Sequence, residues 1–170
     1  QAYHEAGIGV NMDVVYNHTY SSYSSPFQLS VPAYYYRMHD NGSFQDGSGC
    51  GNETASEKEM YRKYMIDSLT YWAEEFGVDG FRFDMMGDHD AESIEQAYNT
   101  ARALNPNLIM LGEGWVTYAG DENSPVQPAD QSWMKDTDTV AVFSDDIRNT
   151  LKSGYPNEGT PAFITGGKRD

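Results

Sequence analysis

Basic residues are scarce in this chain: across 170 residues, 11 Lys and Arg stand against 26 Asp and Glu, a formal net charge of -15. That surplus repels phosphate backbones and anionic lipid surfaces, both bound chiefly through Lys and Arg, so neither nucleic acid nor a membrane is an expected partner. Long apolar runs are missing too. Pieces such as Leu108 to Leu111 and Val140 to Phe143 fall far short of the roughly 18 residues a membrane span requires. Cysteine occurs once, at Cys50, which excludes an internal disulfide and a cysteine-built zinc site; it reads as a small residue in a Gly-rich loop. No G-x-G-x-x-G and no P-loop lysine follows any strand, which sets aside dinucleotide and Walker-type phosphate binding. No initiator Met, charged n-region or apolar h-region opens the chain, so no signal peptide is read, and the chain is expected to be a piece of a longer protein.

What is present is enough for a folded core, at 39% hydrophobic and 14% aromatic. Ile8 to Val15 is a β-branched-rich run that reads as a buried strand opening onto polar Tyr16-Asn17-His18. Thr19 to Glu53 has no helical periodicity. Its aromatics, Tyr20, Tyr23, Phe27, Tyr34, Tyr35, Tyr36 and Phe44, predict an ordered, surface-wrapping loop with turns at 40–43 and 46–49. Thr54-Ala55-Ser56-Glu57 has the pattern of a capping box, and Tyr61, Met65, Leu69, Trp72 and Phe76 follow as a helical stripe closed by Gly77.

Val78 to Met86 predicts a second strand, and Ile94, Ala97, Tyr98, Ala101 and Leu104 stripe a second helix that stops at Asn105-Pro106. Leu108 to Leu111 starts a third strand and Val140 to Phe143 a fourth, with a short helix from about Ser144 to Lys152 and Gly154 after it. Alternating strand and helix implies α/β architecture with a parallel sheet and right-handed crossovers, either doubly wound or a (β/α)8 TIM barrel. A full barrel takes about 250 residues, so these strands would be roughly half of one. No linker divides the chain, and residues 1–170 are expected to form one incomplete domain.

Ionisable residues mark the strand ends: Asp13 with Asn17 and His18 on the first, Arg82 and Asp84 on the second, Glu113 on the third. The carboxyl ends of parallel strands share one face, so these groups are expected to converge. Arg82 and Asp84, two apart on one strand, point to the same side, where a fixed guanidinium would keep Asp84 ionised. An ionised carboxylate beside a second, drier one suits glycoside hydrolysis, one attacking the anomeric carbon and the other protonating the leaving oxygen. Trp115, beside Gly112-Glu113-Gly114, would wall the second carboxyl and offer a sugar a flat face. Any one of these charges alone is better read as a loop-bonding group, and the set on successive strands is what favours chemistry.

These residues resemble the α-amylase family of retaining glycosidases, glycoside hydrolase family 13, and within it the type I pullulanases. Asp13-Val14-Val15-Tyr16-Asn17-His18, Gly80-Phe81-Arg82-Phe83-Asp84 and Gly112-Glu113-Gly114-Trp115 are similar to its first three conserved segments. The stretches Asp46 to Glu57, Met86 to Asp90 and Val142 to Arg148 are similar to pullulanase sequences. The resemblance implies about strands 3 to 6 of the barrel, with Asp84 as nucleophile and Glu113 as general acid/base. It also implies Arg82 holding Asp84 ionised, His18 on the sugar in the cleaved-side subsite, Asp13 and Asn17 bracing the site, and Trp115 where substrate is contacted. His89 and Asp90 either face the cleft or cap the following helix.

The implied reaction is debranching, cleavage of α-1,6 bonds in an α-glucan such as pullulan, glycogen or starch dextrin. It needs no cofactor; calcium is compatible, with no assignable ligand set. The family's fourth segment, a His-Asp pair, and the upstream Tyr-Asn-Trp-Gly-Tyr segment have no counterpart here, so the chain alone is expected to be inactive and to self-associate. The alternatives are an α-1,4-acting α-amylase-like hydrolase and a non-catalytic glucan-binding relative. A calcium loop starting at Asp40 fails, because its twelfth position is Gly51 where a bidentate Glu is required. An extracellular or cell-surface location is preferred over a cytoplasmic one, since large glucans are met outside the cell.

Overall fold

A computed structural model describes residues 1–121, 123–154 and 157–167. Four parallel strands, β1 (Asn11–Val14), β2 (Gly80–Phe83), β3 (Ile109–Gly112) and β4 (Ala141–Val142), form one sheet in sequence order. Between them run α3 (Glu59–Phe76) and α4 (Ala91–Leu104); α1 (Ala2–Glu5) precedes β1, α2 (Pro26–Ser30) lies in the long loop, and α5 (Asp145–Lys152) follows β4. The alternation of strand and helix read from the sequence is therefore the observed one.

The two faces of the sheet differ. Val14, Phe81, Phe83 and Met110 are buried against Tyr61, Met65 and Leu69 of α3 and Ile94, Ala97 and Ala101 of α4. Successive side chains alternate across a strand, so Asn11, Asp13, Arg82, Asp84, Ile109, Leu111 and Glu113 turn to the opposite face. Among the described residues no helix covers that face, and Asn11, Asp13 and Ile109 are exposed there. The first strand is accordingly shorter than its apolar run: Ile8 and Val15 are exposed and β1 keeps only the four residues that pair with β2.

The helical stripes need one correction each. Phe76 and Leu104, at the far ends of α3 and α4, are exposed, beyond the reach of the short strands. Gly77 closes α3 as expected, in the left-handed region at φ 62, its N–H on the Ala73 carbonyl. The capping box does not form. α3 begins at Glu59 after Lys58, which makes no side-chain cap. Thr54 Oγ1 instead donates to the Tyr16 carbonyl at 2.6 Å, and Glu57 is held by Arg37 at 2.8 Å. The partners that would have capped the helix are spent on the long loop.

That loop is ordered. Ser25 caps α2 by accepting the Gln28 N–H, and five residues are too few for a readable stripe. Phe27 packs edge-on against Tyr61 and Tyr64, and the buried Tyr36 phenol bonds both Ser25 and Thr19. Asn52 closes the loop base, accepting the Thr19 N–H and donating to its carbonyl. Cys50 is exposed in the Gly-rich turn.

Candidate active site

Parallel register sets Asp13 beside Arg82 and brings the ends of β2 and β3 level, Phe83 beside Gly112. Asp84 N–H then donates to the Val14 carbonyl and Glu113 N–H to the Phe83 carbonyl, each at 3.0 Å. The ladder thus continues through both carboxylate residues. They are extensions of strands, with rigid backbones.

One guanidinium joins the cluster. Arg82 Nη1 lies 3.0 Å from Asp13 Oδ1 and 3.2 Å from Asp84 Oδ1, and its Nη2 lies 2.6 Å from Glu113 Oε1. Burial works to lower the Arg82 pKa, but the hydrogen bonds and charges of Asp13, Glu113 and Asp84 outweigh it and raise it, so the cation is permanent. Asp84 is 31% exposed, Glu113 22% and Arg82 24%, open enough for a ligand to reach each.

Asn17 braces Asp84 twice, donating Nδ2 to its carbonyl at 2.8 Å and to Oδ2 at 3.1 Å. With Nδ2 so placed, Asn17 Oδ1 is an acceptor, and it bonds His18 Nδ1. His18 Nδ1 must therefore carry the proton, which leaves Nε2 for another partner. The Met85 backbone N–H donates to Glu113 Oε2 at 3.2 Å, and Met85 adopts φ 43, left-handed for a residue with a Cβ. Such strain is worth about 1 to 3 kcal/mol and clusters at functional sites.

The structure brings Asp13, Asn17, Arg82, Asp84 and Glu113 into one bonded group, with His18 attached through Asn17. Trp115 makes no hydrogen bond to the four charged groups among the described residues, and its carbonyl packs on Gly87, where an added Cβ would come within 1.9 Å. Glu113 itself is ion-paired with Arg82. Asp90 caps α4 by accepting the Ser93 N–H, and His89 is wholly buried, its pKa pushed down to about 4 by burial, so neither faces the cleft.

Behind the cluster lies a buried layer that sequence reasoning missed. Arg37 pairs with Glu53 and Glu57, Asp88 Oδ1 accepts from Thr117 Oγ1 at 2.5 Å, and the Arg37 guanidinium stacks 4.0 Å from the Tyr118 ring centre. Burial raises Asp88 to about 6. A lone Arg after three tyrosines carries no periodic signal, and no spacing links it to residues fifty or more positions on. Among the described residues no cluster of His, Cys, Asp and Glu could hold a metal ion, and no helix is long and apolar enough to cross a membrane.

A parallel sheet with two carboxylates at adjacent strand ends, joined by one arginine, is the arrangement of a partial (β/α)8 barrel with its charged groups at the carboxyl ends of the strands. No family model matches the chain. It is 62% identical over 167 residues to pullulanase A of Streptococcus pneumoniae serotype 4, covering 98% of this chain and 13% of that protein. It superposes on the catalytic module of the glycogen-degrading pneumococcal virulence factor SpuA with TM-score 0.90 at 61% identity, covering 99% of this chain and 23% of that one. On the pullulanase SAP of Group B Streptococcus, solved in complex with maltotetraose, the TM-score is 0.88 at 59% identity, over 96% of this chain and 21% of the other. The chain belongs to the pullulanases of the α-amylase family, as a segment of their catalytic barrel.

Proposed function

We propose that the protein containing this segment is a retaining α-glucan debranching hydrolase that cleaves α-1,6-glucosidic bonds. One observation carries the reading: Asp84 and Glu113 stand at the ends of adjacent parallel strands and share the guanidinium of Arg82. The relatives' names, pullulanase and glycogen-degrading, and the maltotetraose bound by one of them support the choice of substrate.

In the first half-reaction an Asp84 oxygen attacks the anomeric carbon while Glu113 gives a proton to the departing glycosidic oxygen. The C–O bond to the leaving chain breaks and a glycosyl ester forms. In the second, Glu113 takes a proton from water, the hydroxide oxygen displaces Asp84, and both carboxyls return to their starting state. Arg82 and the Met85 N–H hold the two Glu113 oxygens in place through both steps. Water is the only co-reactant, so no cofactor enters.

Arg82 holds Asp84 as an anion and Asn17 fixes which oxygen faces the sugar. His18 offers Nε2 to a sugar hydroxyl, Asp13 anchors Arg82, and Trp115 flanks the substrate path. An extracellular or surface location is preferred, since large glucans are met outside the cell and one relative is described as a virulence factor. The test is product analysis of the intact protein on pullulan: maltotriose identifies α-1,6 attack, panose or isopanose identifies α-1,4 attack, and no product with tight glucan binding identifies a binding relative.

A further inference from the structure

Among the described residues Arg37 is the most heavily bonded side chain away from the reacting carboxylates, and it is only 3% exposed. Its Nη1 donates to the Asp88 carbonyl at 2.6 Å and to Glu53 Oε1, its Nε and Nη2 reach Glu57 at 3.1 and 2.8 Å, and Tyr118 lies against its face. These partners sit on three loops. Glu53 and Glu57 belong to the loop after β1, Asp88 follows Asp84 by four residues, and Tyr118 follows Glu113 by five.

The partners are themselves tied across the loops. Glu53, with no exposed surface, accepts the Gly47 N–H at 2.8 Å and the Ala119 N–H at 3.2 Å. Thr117 Oγ1 donates to Asp88 Oδ1, joining the loop of the acid to the loop of the nucleophile. The backbones touch: a Cβ at Gly47 would fall 2.0 Å from the Thr117 carbonyl. No loop can then move without disturbing the other two. We propose that Arg37 is a positioning residue, a buried tie between the three strand-end loops that fixes Asp84 and Glu113 relative to each other.

The side-chain type is specific. A guanidinium offers five N–H donors in a planar fork and a face that stacks on an aromatic ring, and this site uses a carbonyl, two carboxylates and a ring. An ammonium would hold one carboxylate and release the rest. Apolar replacement of buried ion pairs often leaves folding intact, so a fully buried charge joining separate loops points to geometry more than to stability.

The proposal rests on the hydrolase reading above, and its test separates the two. Arg37→Lys and the near-isosteric Thr117→Val are made in the intact protein and assayed on an α-glucan, with hydrogen exchange measured over residues 84–90 and 113–119. For Arg37→Lys, kcat is expected to fall about 10²-fold, the cost of roughly 1 Å of misplacement, with KM changed less than about threefold and exchange in both loops accelerated. Thr117→Val should move the same readouts in the same direction by a smaller factor, and it decides the matter if Arg37→Lys does not fold. Variants that melt earlier yet keep kcat and loop exchange overturn the proposal. If the unmodified protein cleaves no glucan, the hydrolase reading has failed; exchange then decides alone, unchanged loops overturning the tie and faster loops supporting it.

Discussion

Arg82 Nη2 stands 2.6 Å from Glu113 Oε1, reaching across the β2–β3 boundary to the carboxylate of the neighbouring strand. The same guanidinium serves Asp13 and Asp84 through its other nitrogen, so three carboxylates take their positions from one planar group. Arg82→Lys supplies one compact charge for three partners and should lower kcat of the intact protein by about 10²-fold. Steady-state kinetics check it. Turnover within a few-fold of the parent would reduce Arg82 to a structural role.

Asp84→Asn keeps the shape of the side chain and the donated bonds of Asn17 but removes the anionic oxygen that would attack. We expect kcat to fall by roughly 10³-fold or more while binding of a maltooligosaccharide, measured by calorimetry, changes little. Substantial residual turnover would place the nucleophile elsewhere.

Sharing one guanidinium keeps the Asp84 and Glu113 carboxyls close, and in the intact barrel we expect a separation of about 5 to 5.5 Å, the spacing of a retaining enzyme. Proton NMR of the first-formed product should show the α-anomer. The β-anomer would indicate inversion and dismiss the two-step scheme.

Asp88 gives a pH dependence whose sign is fixed by its burial. Its folded pKa, near 6, lies above the ordinary carboxylate value, so the native state keeps a proton that the unfolded chain has lost. Its contribution is complete below about pH 4 and fades as pH rises through 6, by up to about 3 kcal/mol for two units. Asp88→Asn, a stand-in for the neutral acid, should therefore gain stability relative to the parent between pH 4 and pH 7. Denaturant midpoints at the two pH values test this; a constant difference would refute it. His89, held neutral down to about 4, works in the opposite direction in both proteins and cancels.

The 170-residue chain on its own should show no debranching activity and should self-associate. Its inward sheet face is open among the described residues, and Ile147, Leu151, Phe163 and Ile164 are exposed near the β4 edge of the chain. Unpaired strand edges beside apolar surface invite pairing with another copy. Light scattering beside a pullulan assay would decide; a soluble, active monomer contradicts both halves.

The sheet was legible because its signals are local. β-branched runs, two helical stripes and Gly77 place four strands and two long helices, and Arg82-Phe83-Asp84 shows by its spacing that the charges share a face. The convergence of Glu113 followed from one β-α-β repeat. What could not be read depends on partners distant in sequence: Thr54 and Glu57 look like a cap until Tyr16 and Arg37 claim them. The Arg37 layer is of the same kind. The close contact of the Trp115 carbonyl with Gly87 is likewise invisible in the sequence around Trp115.

Asp13, Asp84 and Glu113 around a single guanidinium leave the strand ends with a net negative charge. Such a pocket has a preference that precedes any fit of shape. In the proposed hydrolase it would stabilise the partial positive charge that spreads over a sugar ring as a glycosidic bond breaks, and it would repel phosphate or uronate groups on an arriving saccharide. Any discrimination between a neutral glucan and its phosphorylated counterpart would then be electrostatic and should weaken as ionic strength rises.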